Sequence, residues 1–211
     1  MEIRWLGQSC FVVTSGPHDV YFEPYPALSH PKAKDDGSTV VTFSHAGVLR
    51  QHRQEWGQAA HLLEGPGEYE IAALAFRGIP TPLTARDGSR SLNTVYVMEA
   101  EGISVCHVGT LAGTLATSAL QAIGNVDILM VPAGGPGIMP VDSVASMIRA
   151  VEPDIVIPMH YVASAGQEGI GPIPVLLKEL GVTPPDPAPR LSVSRSNLPP
   201  EMKVVLLRAS A

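Results

Sequence analysis

The apolar residues follow one spacing pattern in the first half of the chain and another in the second half. This difference constrains the fold more than any other sequence feature. The first half carries short apolar and β-branched runs separated by glycine, proline and charged turns, among them EIRWL, CFVVT, TVVTF and NTVYVMEA. This pattern is typical of antiparallel hairpins. In the second half a helix-like segment precedes a buried strand twice, as LATSALQAI before VDILMVP and VDSVASMIRAVEP before DIVIPMH. The order predicts an α/β protein, a four-layer αββα sandwich in which helices flank two mixed β-sheets.

The length of 211 residues suits one domain, and we expect a single domain over residues 1–211. The segment TPPDPAPR, after residue 182, contains prolines that exclude a helix interior, so we predict an extended crossing segment. The following EMKVVLLRA predicts a last strand that returns to pair in a sheet.

Charge and hydropathy exclude some classes of partner. The formal net charge of −6 and the absence of a Lys/Arg cluster argue against nucleic acid. No apolar run approaches the roughly 18 to 20 residues of a membrane helix, and MEIRWLGQ lacks the layout of a signal peptide. We therefore expect a cytoplasmic protein without a membrane association. Cys10 and Cys106 lie in apolar strand-like runs, which favours buried thiols, although their spacing alone does not exclude a disulfide.

Many short blocks, in order along almost the whole chain, resemble one family. They include IRWLGQSCFVV, VYFEPY, TVVTFSH, EGPGEYEI, VDILMVPAGG and EPDIVIPMHY. The chain resembles the metallo-β-lactamase fold superfamily, in the branch of zinc-dependent hydrolases that includes the L-ascorbate-6-phosphate lactonases. The resemblance implies a His-x-His-x-Asp-His loop, a later His, a bridging Asp and a last His. These hold one or two metal ions, which lower the pKa of a bound water so that hydroxide forms near neutral pH.

The metal loop implied by the resemblance is largely replaced. His45 stands at its first position, but the next ligand positions carry Gly47, Leu49 and Arg50. Glycine and leucine offer no side-chain donor atom, and arginine adds a positive charge that repels a metal ion.

The later ligand positions are replaced as well, apart from the last. Leu83, or a close neighbour, takes the place of the middle histidine, and Thr110 takes that of the bridging aspartate. A neutral hydroxyl does not substitute for a carboxylate between two dications. His160 remains, whereas Gln8 and Glu23 replace the histidine and aspartate usual in two neighbouring blocks.

These replacements predict a degenerate metal site and a non-hydrolytic pseudoenzyme that binds a small ligand or a partner, with no cofactor expected. The alternative is a metal-dependent hydrolase of lactonase or phosphoester type with a reduced or relocated site. Its single zinc would be held by His45, His160 and a carboxylate such as Glu23, or by a shifted pair of His45 and His52.

Three arginines favour an anionic ligand. Arg86 and Arg90 lie in a polar loop expected near the cleft mouth, and Arg50 would remain inside a cleft without metal ions. Self-association is a further expectation, since relatives often assemble.

Two other patterns are interpreted as structural. Cys106 and His107 are adjacent in a strand, where neighbouring side chains point to opposite faces, so they do not form a nucleophile and base pair. The glycines and proline of EGPGEYEI favour a tight turn that enters a strand over an acid/base site.

Overall fold

The computed structural model describes residues 1–24, 33–45, 56, 59–84, 90–111, 113–134, 138–161 and 173–210. Within them, two mixed β-sheets face each other and three helices accompany them, which confirms the predicted fold class. None of the helices in these ranges is long and apolar enough to cross a bilayer.

The first sheet has six strands among the described residues, in the spatial order β12-β1-β2-β3-β4-β5. The strands are β1 (Glu2–Gly7), β2 (Cys10–Ser15), β3 (His18–Phe22), β4 (Thr39–Thr42), β5 (Ala60–Leu63) and β12 (Leu191–Ser192). β1, β2 and β3 form an antiparallel meander, whereas β3, β4 and β5 run parallel. The parallel strands therefore end together at one edge of the sheet.

The second sheet has seven strands in the described part, in the order β13-β11-β10-β9-β8-β7-β6. They are β6 (Gly67–Ile71), β7 (Leu74–Thr84), β8 (Arg90–Ala100), β9 (Ile103–His107), β10 (Ile128–Pro132), β11 (Ile155–Met159) and β13 (Lys203–Val204). β6 to β9 are antiparallel, and β9, β10, β11 and β13 are parallel. β13 is the returning strand that the sequence predicts.

The helices pack on the second sheet and on one another. They are α1 (Thr117–Ile123), α2 (Val141–Val151) and α3 (Ile173–Leu180); α1 contacts β7, and α2 contacts both β10 and α3. In α2 the apolar positions recur on one face, and Val144, Ala145, Ile148 and Val151 are buried there.

Alternation along β2 shows that both faces of the first sheet are covered. Phe11 and Val13 belong to the main core between the sheets, whereas Val12 belongs to a second apolar cluster with Tyr21 and Trp56. All the residues from Cys10 to Val13 are buried, which explains why the sequence shows a continuous apolar run here.

The predicted crossing segment connects the two sheets. It leads to β12, which pairs with β1, and then to β13, which pairs with β11. Ala188 pairs with the same returning chain, because its N–H donates to Leu206 O at 2.8 Å and its carbonyl accepts from Arg208 N.

The EGPGEYEI block turns and enters β6, as the structural interpretation predicts, and the turn also connects the two sheets. The Tyr96 hydroxyl receives the N–H of Gly65 at 3.0 Å, and the Tyr69 hydroxyl donates to Gly65 O at 2.8 Å. The turn also lies against Gly78 of β7, where an added Cβ would stand 2.6 Å from Gly65 O. The backbone contact therefore requires glycine at position 78.

Gly78→Ala is expected to lower the free energy of unfolding by about 2 kcal/mol, because the new methyl group overlaps a backbone carbonyl. Gly113→Ala is the matched control, since an added Cβ there has nothing within 4 Å, and its effect should stay within about 0.5 kcal/mol. Urea unfolding of both variants measures the difference. Equal stabilities would contradict the close approach.

Candidate functional site

The candidate cleft lies where the parallel strands of both sheets end. We define it by Gln8 and Ser9 in the β1–β2 turn, Glu23 after β3, His45 after β4, Thr110 after β9 and His160 after β11. Hydrogen bonds join the two sheets here, for example from Thr94 N to Ser44 O at 2.8 Å. Side chains of both sheets therefore meet at one edge, as is usual for sites at strand ends.

His160 is fixed by the β1–β2 turn. Its backbone is left-handed, with φ of 55°, and its N–H donates to Gln8 O at 3.0 Å. Its Nδ1 lies 3.4 Å from Gln8 Oε1. With the Gln8 amide in this orientation, the tautomer that fits carries its proton on Nδ1 and presents a lone pair on Nε2. Burial lowers the pKa of His160 to about 4, so the ring is neutral at pH 7.

One polar atom of the β1–β2 turn and one of the residue after β11 are buried without a hydrogen-bond partner among the described residues. They are Ser9 Oγ and His160 Nε2. Ser9 is fully buried and His160 is 8% exposed. Buried polar atoms are nearly always paired in folded proteins, so this pair indicates a place for a ligand or water.

His107 uses both ring nitrogens within the protein. Nε2–H donates to Ser9 O at 2.9 Å, and Nδ1 accepts from Gly109 N at 3.1 Å. The ring stacks on Phe22 with centroids 5.3 Å apart. Burial, together with the nearby His160, lowers the pKa of His107 to about 4. His107 is therefore a neutral structural residue, in agreement with the sequence interpretation.

Cys106 lies in the main core, and burial raises the pKa of its thiol to about 12. A thiolate does not form under these conditions, and Cys106 and Cys10 are both buried without a disulfide bond. The structure thus agrees that Cys106 and His107 are not a nucleophile and base.

Glu23 is a buried carboxyl group at the end of β3. It is 2% exposed, its backbone is left-handed, and one carboxylate oxygen accepts a short hydrogen bond from Ser44 N. Burial raises the pKa of Glu23 to about 7, although the Ser44 hydrogen bond acts in the opposite direction. The group therefore changes charge near neutral pH.

His45 is half-buried, and its Nε2 lies 3.3 Å from Ser91 Oγ of β8. His45 and His160 thus belong to the same edge but have different local partners, Ser91 for the first and Gln8 for the second.

Asn93 organises the space beside Thr110, and the sequence analysis did not single it out. Its amide donates to Thr81 Oγ1 at 2.8 Å and Val108 O at 3.0 Å, and its Oδ1 accepts from Thr110 N at 2.8 Å. Asn93 is fully buried. The sequence signal for this role is an asparagine within the apolar strand LNTVYVM, because an amide buried in such a strand needs several hydrogen-bond partners.

Gly109 completes this close packing. A Cβ there would stand 2.4 Å from Asn93 Oδ1 and 2.5 Å from Ser44 Cβ, and φ is 70°. The backbone after β9 therefore packs directly on both neighbours, and Thr110 follows it as a half-buried residue.

Several predicted positions lie outside the described residues, namely Gly47, Leu49, Arg50, His52 and Arg86, and for Arg90 only the backbone is described. Leu83 is half-buried in β7 opposite Ser91, and Gln8 is exposed.

The described donor atoms do not fit a two-metal centre. Among the residues that the structure places, no group of three or more His, Cys, Asp or Glu side chains is arranged to hold a metal ion. Thr110 and Leu83 stand where the resemblance implies ligands, and neither supplies a carboxylate or imidazole.

Residues 2–160 match the beta-lactamase superfamily domain, and the chain therefore belongs to this family. It is similar to a UPF0173 metal-dependent hydrolase of Thermoplasma acidophilum, at 24% identity over 76% of this chain and 83% of the relative. It is also similar to one of Thermococcus onnurineus, at 26% identity over 76% and 84%.

Among solved structures, a candidate Zn-dependent hydrolase of the metallo-beta-lactamase superfamily from Thermotoga maritima has a TM-score of 0.76. It is 26% identical, and 98% of each chain is covered. The metallo hydrolase Igni18 of Ignicoccus hospitalis has a TM-score of 0.66 at 16% identity over 100% of this chain and 96% of its own. The second likeness supports the fold alone.

Glu23→Gln is expected to stabilise the protein relative to the wild type increasingly as pH rises. Folded Glu23 keeps its proton up to about pH 7, whereas the unfolded chain loses it near the ordinary pKa of 4.5, so its contribution to stability falls across this window. Glutamine has no carboxyl proton to lose. The difference in free energy of unfolding between the variant and the wild type therefore changes by at most about 3 kcal/mol across this pH window.

Urea unfolding at pH 5 and pH 8 measures this difference, and the low pKa values of His107 and His160 cancel because both proteins contain them. Glu201→Gln, which removes an exposed carboxylate, is the control and should change little between the two pH values. A Glu23→Gln effect that does not vary with pH would refute the buried carboxyl argument.

Proposed function

We propose that this protein binds a small hydroxylated anion in the candidate cleft and does not hydrolyse substrates through a two-metal centre. The observation that carries the proposal is that Ser9 Oγ and His160 Nε2 are both buried without a hydrogen-bond partner among the described residues. The N–H of His160 donates to Gln8 O, which joins His160 to the turn that carries Ser9. A ligand hydroxyl supplies the donor that the neutral imidazole lacks, and Ser9 is able to donate or accept.

The replaced ligand positions support the non-hydrolytic part of the proposal. Without the bridging carboxylate at Thr110 and the loop ligands at Gly47 and Leu49, two ions have no shared anchor. A hydroxide held between two ions is then not available for attack on a carbonyl or phosphorus centre.

The anionic part of the proposal rests on the sequence. Arg50 and Arg86 come after β4 and β7 in the chain, and Arg90 is the first residue of β8. Arginine binds phosphate and carboxylate groups through paired N–H donors, so these side chains would bind the charged end of a ligand. Its hydroxyl groups would then face Ser9 and His160.

A reduced metal site is the second candidate function, because His160 Nε2 presents the lone pair that a metal ion needs. A single zinc would require His45 to release Ser91 and Glu23 to turn from Ser44 N. The relatives named metal-dependent hydrolases give this alternative its plausibility, by analogy of fold and name.

Three matched probes test the ligand proposal: glycerol 3-phosphate, inorganic phosphate and glycerol. We expect glycerol 3-phosphate to bind at least tenfold more tightly than either of the other two, as measured by isothermal titration calorimetry. Ser9→Ala should weaken this binding by about tenfold, in proportion to about 1.4 kcal/mol for one lost hydrogen bond. Equal binding of phosphate and glycerol 3-phosphate, or no effect of Ser9→Ala, would contradict the role of Ser9 Oγ and His160 Nε2.

Metal analysis tests the part of the proposal that concerns the absent two-metal centre. Protein purified without chelator is expected to contain far less than one zinc, manganese or iron ion per chain by plasma mass spectrometry. One or two tightly held ions, lost in His160→Asn, would overturn the loss of the metal site and favour the rival hydrolase. The two measurements are separate, so ligand binding and metal loss stand or fall independently.

A further inference from the structure

An acidic groove of about 430 Å³ lies on the second sheet, away from the candidate cleft. Glu68 and Glu70 of β6, Ala75 and Arg77 of β7 and Glu99 of β8 line it. The strand register places Ala75 between Glu70 and Glu99, so two carboxylates flank one small side chain. Neighbouring strands are about 4.8 Å apart, which leaves roughly 10 Å between the Cα atoms of Glu70 and Glu99.

The groove borders a sheet edge that faces solvent. β6 is the terminal strand of the second sheet in the described part, and Gly67, Glu68 and Glu70 are exposed. An edge strand presents backbone N–H and C=O groups that another extended chain is able to pair with.

Within the described residues, no cation is paired with the two carboxylates of β6. Arg77 is opposite Glu68 in the register, but its guanidinium donates to Ala122 O at 2.8 Å and lies 3.6 Å from Glu99. The Arg77 guanidinium is therefore held at the C-terminal end of α1. No cationic side chain in the described ranges lies within ion-pair distance of Glu68 or Glu70.

We propose that the β6 edge binds an extended, basic segment of another protein, which adds as a further strand to the second sheet. Lys or Arg residues at alternate positions of that segment would face Glu68 and Glu70, because these two side chains project from the same face of β6. Opposite charges directly across a strand pair are favourable. This inference is independent of the ligand proposed for the candidate cleft.

A second copy of this chain is the wrong partner for the same edge. Pairing of two β6 strands would bring Glu68 and Glu70 of one copy against those of the other, and like charges across a strand pair are destabilising. The acidic residues thus protect the edge from self-association while they favour a basic partner.

The test uses the full chain and a fluorescein-labelled octapeptide of alternating lysine and threonine, followed by fluorescence anisotropy at low salt. One control peptide replaces lysine with glutamate, and another groups the four lysines together at the same composition. We expect the alternating lysine peptide to bind, the glutamate peptide not to bind, and the grouped peptide to bind at least fivefold more weakly. Failure of the alternating peptide to bind, or equal binding of the grouped peptide, overturns the proposal.

Matched variants locate the interaction. Glu68→Gln with Glu70→Gln should weaken peptide binding at least tenfold, whereas Asp186→Asn with Glu201→Gln removes the same charge at other exposed positions and should leave it unchanged. Hydrogen exchange should show new protection of the β6 amides upon peptide addition. Protection elsewhere, or an equal loss of binding in both double variants, would show that net charge rather than strand addition drives binding.

Discussion

One buried imidazole joins the two β-sheets at the edge on which the candidate cleft depends. His107 donates to Ser9 O in the β1–β2 turn and accepts from Gly109 N in the second sheet, and its ring stacks on Phe22 of the first. Because the β1–β2 turn is held in this way, Gln8 is positioned to bind both the backbone and the ring of His160. The arrangement requires a neutral His107, and burial provides it by lowering its pKa to about 4. The cleft therefore rests on a residue that does not itself bind ligands.

The strands and turns of this chain follow the family more closely than the candidate cleft does. The ordered blocks that form strands and turns agree with the family. Where the resemblance implies a histidine and a bridging aspartate, the sequence has Leu83, or a close neighbour, and Thr110, which carries a neutral hydroxyl. The region beside Thr110 is instead organised by Asn93, whose amide bonds both strands around it. A fully bonded amide provides rigidity without charge, so hydrogen bonds within the protein hold these strands together.

The sequence was informative where local pattern decides the structure. Alternation of helix and strand predicted the parallel part of the second sheet, and EMKVVLLRA predicted the returning strand that pairs with β11. The sequence was uninformative where the structure depends on contacts between residues that are far apart in the chain. Asn93 resembles a surface residue until Val108 and Thr110, 15 and 17 residues away, become its partners. Likewise the raised pKa of Glu23 follows from its burial in the folded protein, and the residues next to it in the sequence do not predict that burial.

The pairing of β12 with β1 has a consequence for the order of folding. Glu2 and Ile3 pair with Ser192 and Leu191, so the edge of the first sheet is built from residues at opposite ends of the described chain. During synthesis, β12 leaves the ribosome after β9, β10 and β11 and before β13, so β1 has no outer partner strand until that point. Such distant pairings slow folding, because a long loop must close before the contacts are made. The first sheet thus acquires its last strand late, and the nascent chain exposes an open strand edge until then.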